Sequence, residues 1–201
     1  MSRRGALGLV AGGSALITLV TIGETLGDKV RWTAFLSARG RSYGHGPTDF
    51  QINRTAESAG IPLSAVGAAW TLTLLGGTEP VILDRAALLA LPQHTAHLPI
   101  ACVEGWSTTQ RWTGVRLRDL AAMAGVARPH TVLVRSLEQS GSYNRVTLAG
   151  SQALDADTML ALQVNGADLS LDHGFPARMI IPGLPGVHQT KWVGSLSFAA
   201  A

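Results

Sequence analysis

The sequence predicts a mixed, strand-rich α+β domain preceded by one apolar N-terminal helix. Three observations carry that expectation. Trp70-Thr-Leu-Thr-Leu-Leu75 alternates apolar and polar residues, the period of a half-buried strand. Stretches with helical spacing lie between the strand-like runs at irregular intervals, which excludes a regular βαβ repeat. Asn165-Gly166, between the apolar runs Met159–Val164 and Leu169–Leu171, is the strongest hairpin signal in the chain.

At the N-terminus, the 19 residues from Gly5 to Gly23 carry no charge, and Arg3-Arg4 precede them. That length is near the lower limit for a membrane-crossing helix. Ser2-Arg3-Arg4-Gly5-Ala6-Leu7 resembles the twin-arginine export pattern, with Ala6 where that pattern usually has phenylalanine. No small-x-small cleavage site follows directly, which favours a retained anchor over a removed peptide. The positive-inside rule then leaves the arginines in the cytoplasm and the rest of the chain outside. Residues 1–29 are therefore read as anchor or export signal and residues 30–47 as a linker, because Ser37–Pro47 is rich in glycine and charge. The globular domain is expected over residues 48–201.

Within it, Asp84 is placed to cap a short helix carrying Ala86, Leu88 and Leu89. Leu98–Cys102 is an apolar run feeding a polar loop. Leu117, Leu120, Ala121 and Ala124 have helical spacing, with Gly125 as the stop signal. Thr131–Leu137, Ala177–Ile181 and Lys191–Phe198 read as further strands. His94 and His97, beside Pro92 and Pro99, read as a surface turn rather than a metal site, since no third ligand is evident.

Composition excludes several functions. Hydrophobic residues are 46% and charged residues 14% of the 201, so the chain is not disordered. Six of the Lys and Arg residues lie in residues 1–41 against Glu24 and Asp28; the other 160 residues hold ten bases and eleven acids. A body with that balance lacks the basic face a nucleic acid requires. One cysteine excludes an intramolecular disulfide and any multi-thiolate zinc site. There is no G-x-G-x-x-G, Walker loop, G-x-S-x-G or H-E-x-x-H. What remains is Cys102, at the junction of an apolar run and a polar loop with two tryptophans, Trp106 and Trp112, themselves read as packing residues. A single cysteine alone is most often a small buried hydrophobe.

The segment containing it, LPIACVEGWSTTQRWTGVRLRDL from Leu98, resembles the core motif of the sulfite oxidase-fold molybdopterin oxidoreductases. Its form is similar to bacterial, membrane-tethered or exported members, including the catalytic subunit of a periplasmic methionine sulfoxide reductase. A second stretch, HGFPARMIIPGLPGVHQTKWVGSL from His173, resembles the same family's second signature, and the two follow in the expected order. The resemblance implies a molybdenum–molybdopterin cofactor with Cys102 as the thiolate ligand of the metal. It places Arg178 and Lys191 at the pterin phosphate and pyran, and Gln189 and Thr190 in a stretch that binds through backbone groups. His173 falls where relatives carry Asn or His, Ser136 matches a threonine that contacts the pterin, and Asn53 is the preferred N-terminal contact.

Glu104 stands two residues from Cys102, so in an extended segment both side chains project to one side. A carboxylate there opposes a divalent anionic substrate unless a cation such as Arg111 neutralises it. The expectation is oxygen-atom transfer in the reductive direction on a small S-oxide or N-oxide, with Glu104 as proton donor or pocket shaper. No haem motif occurs, so electrons are expected from a membrane cytochrome or quinone-linked partner. Two further possibilities stay open: a sulfite-oxidising enzyme of the same fold, and a non-catalytic membrane-tethered binding domain. A thiol enzyme using Cys102 as nucleophile would need a histidine base, which nothing in the sequence supplies.

Overall fold

The computed structural model describes residues 12–21, 42–102 and 106–200. Residues 12–21 are helical (α1). Among the described residues no helix is long and apolar enough to cross a membrane. The remainder of the expected 5–23 helix lies outside the described residues. The linker expectation needs correction at its C-terminal end. Ser42–Tyr43 (β1) pairs antiparallel with Gln51–Ile52 (β2), and a 3-10 turn spans Gly46–Thr48 between them. The ordered fold therefore includes residues whose glycine and charge content read as linker, because turn residues serve a tight hairpin as well as a flexible tether.

Two five-stranded sheets make the body. The first has the order β4-β3-β12-β7-β8, from Val81–Asp84, Thr71–Leu75, Val193–Ala199, Thr131–Ser136 and Arg145–Ala149. Its one parallel contact joins the C-terminal β12 to β3; β12 runs antiparallel to β7. The second runs β10-β9-β6-β5, from Ala167–Asp168, Met159–Val164, Ser107–Arg116 and His94–Ala101. Arg178–Ile180 (β11) also pairs with β9, at Met159–Ala161, while β10 takes Gln163–Val164.

Short helices fill the corners. Leu63–Val66 is α2 and Gly150–Leu154 is α5. Asp84 Oδ1 accepts the Ala87 N–H at 2.7 Å and starts α3, Arg85–Ala90. Of that helix's apolar residues only Leu88 is buried; Ala86 and Leu89 face outward. Leu117–Met123 is α4, with Leu117, Leu120 and Ala121 buried and Gly125 in the left-handed region, as its spacing predicts.

The largest core lies between the sheets: Leu72 and Leu74 of β3, Val132 and Val134 of β7 and Leu196 of β12 meet Leu160 and Leu162 of β9, with α4 beside them. A second core on the other face of the second sheet joins Phe50, Ile100, Trp112, Met159, Ala161 and Ile180. β9 is thus buried on both faces, which explains its apolar run Met159–Leu162, since successive residues point to opposite sides. Asn165 and Gly166, both at positive φ, turn β9 into β10. The partner strand is only Ala167–Asp168, however, and the expected strand at Leu169–Leu171 gives way to a 3-10 turn over Leu171–His173.

His94 and His97 lie in β5, not in a surface turn. Pro92 and Pro99 mislead there, because an edge strand tolerates proline. His94 Nδ1 accepts from Arg116 Nη2 at 2.8 Å, so Nε2 carries the proton it donates to Asp157 at 2.8 Å. Among the described residues no group of three His, Cys, Asp or Glu could hold a metal ion.

β6 shifts register against β9 between Thr113 and Gly114, and a Cβ on Gly114 would stand 2.0 Å from the Leu160 carbonyl oxygen. Gly114→Ala is expected to destabilise the protein by about 2 kcal/mol or more, because the obstacle is backbone rather than a movable side chain. A lower denaturant midpoint at unchanged slope would record that loss.

Candidate functional site

The ends of β5, β7, β11 and the approach to β12 converge on one cleft of about 190 Å³. Cys102 follows β5 directly, half-buried, and its N–H donates to the Trp106 carbonyl at 2.8 Å. Ser136 ends β7, Arg178 begins β11, and Lys191 precedes β12. Asn53, Cys102, Ser136, Arg178, Gln189, Thr190 and Lys191, all singled out in the sequence, line this cleft together. Residues 103–105 are outside the described set, so the expectation for Glu104 has no structural counterpart.

The two cations are buried. Arg178 is 5% exposed, and its guanidinium lies 5.6 Å over the Trp112 ring and donates to the His173 carbonyl at 3.3 Å. Burial holds its pKa down to about 10, opposed by the nearby Cys102 sulfur. Lys191 is 8% exposed, and its ammonium donates to the carbonyls of Arg54 and Asp172, each at 2.7 Å. Burial pushes its pKa well below the usual lysine value, and Arg178 adds to the depression; Asp172 and Cys102 oppose it. Gly174 makes the arrangement possible. At φ +109°, a Cβ there would come within 3.1 Å of the Arg178 Cβ and 3.2 Å of the Lys191 Cβ.

His173 stands behind the cleft rather than in its lining. Its ring is 3.9 Å from the Phe50 ring, with Nδ1 on Ser170 Oγ at 2.8 Å and Nε2 on the Phe50 carbonyl at 3.2 Å. Burial, then Arg178 and Lys191, lower its pKa to about 3, so it is neutral near pH 7.

Gln189 borders the cleft, but its amide is committed to the chain: Oε1 accepts from the Ile181 N–H at 2.7 Å and Nε2 donates to the Ile181 carbonyl at 2.8 Å. Ser136 Oγ donates to the Lys191 carbonyl at 2.8 Å and accepts from the Glu138 N–H at 3.1 Å. Arg111 is not brought to the site. It is exposed on β6, with its backbone bonded to Asn165 beside the β9–β10 turn.

Arg54, Glu138, Tyr143 and Trp192 also line the cleft, and sequence reasoning missed them. Arg54 ion-pairs with Glu138 across the opening. Arg54 and Trp192 sit beside residues already singled out, so adjacency was a usable signal. Glu138 and Tyr143 come from the β7–β8 loop, whose sequence carries no motif.

A cleft with two buried cations beside a thiol is suited to an anionic ligand that bears a soft metal. The family described as oxidoreductase molybdopterin binding domain matches residues 58–201. The chain belongs to that family. It is 29% identical over 153 residues to the uncharacterized oxidoreductase YuiH of Bacillus subtilis, covering 75% of this chain and 74% of that protein. It is 36% identical over 100 residues to human mitochondrial sulfite oxidase, covering 46% of this chain and 18% of the relative. Against the NADH nitrate reductase of Volvox carteri it is 32% identical over 150 residues, covering 59% of this chain and 17% of the relative. The chain thus spans less than a fifth of the length of the sulfite oxidase and nitrate reductase relatives. The crystal structure of the sulfane dehydrogenase SoxCD from Paracoccus pantotrophus shares the fold: TM-score 0.66, 24% identity, over 82% of this chain and 45% of that one.

The residues present fit a molybdopterin. Arg178 Nε and Thr190 Oγ1 are buried polar atoms without a hydrogen-bond partner among the described residues, both on residues that line the cleft. Such atoms are costly unless a ligand completes them. Arg178 and Lys191 would hold the phosphate end, and Cys102 would hold the metal.

His173 generates a pH prediction. Its folded pKa lies below its unfolded value of 6.5, so the unfolded chain binds the extra proton first. Stability is complete above pH 6.5 and falls as pH drops toward 3, by up to about 1.4 kcal/mol per pH unit from this group. His173→Gln should flatten that part of the stability curve, measured by denaturant titration of the metal-free protein at successive pH values.

Proposed function

We propose that the chain is a molybdenum–molybdopterin oxidoreductase that reduces a small neutral S-oxide or N-oxide by oxygen-atom transfer. The observation that carries this reading is the buried Arg178–Lys191 pair, whose Arg178 Nε has no partner among the described residues, lining one cleft with Cys102. When bound, the cofactor supplies two-electron oxygen-atom chemistry at molybdenum.

The chain's own residues do the rest. Arg178 and Lys191 neutralise the phosphate end and orient the pterin by charge-assisted hydrogen bonds. The Cys102 thiolate fixes the metal at the end of β5. His173, neutral and hydrogen-bonded on both ring nitrogens, accepts from Arg178 at its carbonyl without adding charge. Arg54 and Glu138 close one side of the opening. Reduction of an S-oxide consumes two electrons and two protons and releases water, and the proposed role of Glu104 is to deliver one proton from its carboxyl to the departing oxygen.

The electrons come, in this reading, from a membrane cytochrome or quinone-linked protein. Arg3-Arg4 and the uncharged run to Gly23 are the basis for placing the domain on the extracytoplasmic side of the cell membrane. Oxidation of sulfite is the second reading, favoured by the identity with sulfite oxidases. It requires a cationic approach to the metal from the substrate side.

Purified protein from a molybdopterin-competent host should contain close to one molybdenum per chain by elemental analysis. Cys102→Ser should lose most of the activity, and the metal's spectrum should change. A well-folded protein that takes up no molybdenum would end the oxidoreductase reading and leave a binding domain. Glu104→Gln should lower S-oxide turnover by about tenfold or more and remove one limb of its pH profile. An unchanged profile would remove Glu104 from the proton path.

A further inference from the structure

Cys102 stands at the meeting point of two clefts. The second, about 390 Å³, is lined by Pro99, Ala101, Cys102, Gly183, Leu184 and Pro185. Among the described residues its walls carry no charged side chain, in contrast to the first cleft. Pro99 and Ala101 stand two apart on β5 and project to one face, where both are exposed. Leu184 and Pro185 form the facing wall.

That wall is held in place. Gln189 Nε2 donates to the Leu184 carbonyl at 3.3 Å as well as to Ile181, and the Leu184 side chain is anchored on the main core. Gly186 brings the loop against the cysteine: a Cβ there would lie 2.9 Å from the Ala101 carbonyl oxygen and 3.2 Å from the Cys102 Cα. The apolar cleft is therefore a built feature, fixed by a residue, Gln189, that also borders the cofactor cleft.

We propose that this second cleft is the substrate entrance, and that it selects a neutral oxide carrying an apolar substituent rather than an inorganic oxyanion. The inference rests on the reading that Cys102 holds the reaction centre. An oxyanion entering here would leave water against walls that, among the described residues, offer it no charged side chain, which is costly. An alkyl or aryl group gains by covering Pro99, Ala101, Leu184 and Pro185, while the short oxide dipole points toward Cys102.

The test titrates the molybdenum-loaded protein with methyl phenyl sulfone, dimethyl sulfone and sulfate by calorimetry. The two sulfones are neutral and differ only in the apolar substituent. Methyl phenyl sulfone should bind at least about tenfold more tightly than dimethyl sulfone, and sulfate should not displace it. Pro99→Lys on one wall and Pro185→Asp on the other should each abolish that preference at unchanged molybdenum content. Equal affinity for the two sulfones, or displacement by sulfate, overturns the proposal whatever the variants do. Selective sulfone binding without turnover of methyl phenyl sulfoxide keeps the cleft and ends the oxygen-transfer reading. Turnover with no preference for methyl phenyl over dimethyl sulfoxide does the reverse.

Discussion

Arg178 and Lys191 are buried side by side, and the arrangement of the site follows from what that requires. Two like charges in a poorly solvated seam repel each other and lose water, and each needs local compensation. The chain supplies it sparingly: two carbonyls for the ammonium, one carbonyl and the Trp112 face for the guanidinium. Asp172 and the Cys102 sulfur add favourable charge from nearby. The compensation is incomplete, since Arg178 Nε has no hydrogen-bond partner among the described residues. A seam left in that condition is suited to a multiply charged anion, and a molybdopterin phosphate is one.

The two-faced burial of β9 is what lets such a seam exist at a fixed geometry. Its residues Leu160 and Leu162 enter one core and Met159 and Ala161 the other, so the second sheet cannot slide without disturbing both. β11, which begins with Arg178, is registered directly on β9. Lys191 is held through β12, which is tied to β3 and β7 in the other sheet. The cofactor cleft thus straddles the junction of the sheets, and Gly174 allows the connecting turn to pass close beneath both cations.

Much of the site was legible because its residues fall in two contiguous segments whose chemistry is local. Cys102, Arg178, Gln189, Thr190 and Lys191 lie within those segments, and the structure brings them together. Legibility failed where position depended on other parts of the chain. Arg111 shares a segment with Cys102, yet β6 carries it to the β9–β10 turn. His173, expected against the cofactor, is not among the residues that line the cleft. The glycines and charges around Tyr43–Pro47 read as a tether, whereas Gly44 bonds to Phe50 and packs against His173.

The sequence by itself determined the strand-rich α+β class, because periodicity is a property of neighbouring residues, and the resemblance of two of its segments to a known family implied the metal-binding thiol candidate and the cationic residues. It also determined the Asn165-Gly166 turn, whose positive φ values are a local preference. Only the tertiary structure decided that Gln189 spends its amide on the Leu184 loop, that Glu138 meets Arg54, and that a second, uncharged cleft opens at Cys102. Those features join segments far apart in the chain. Their energies are set by burial and by distances between strands, quantities that no local pattern encodes.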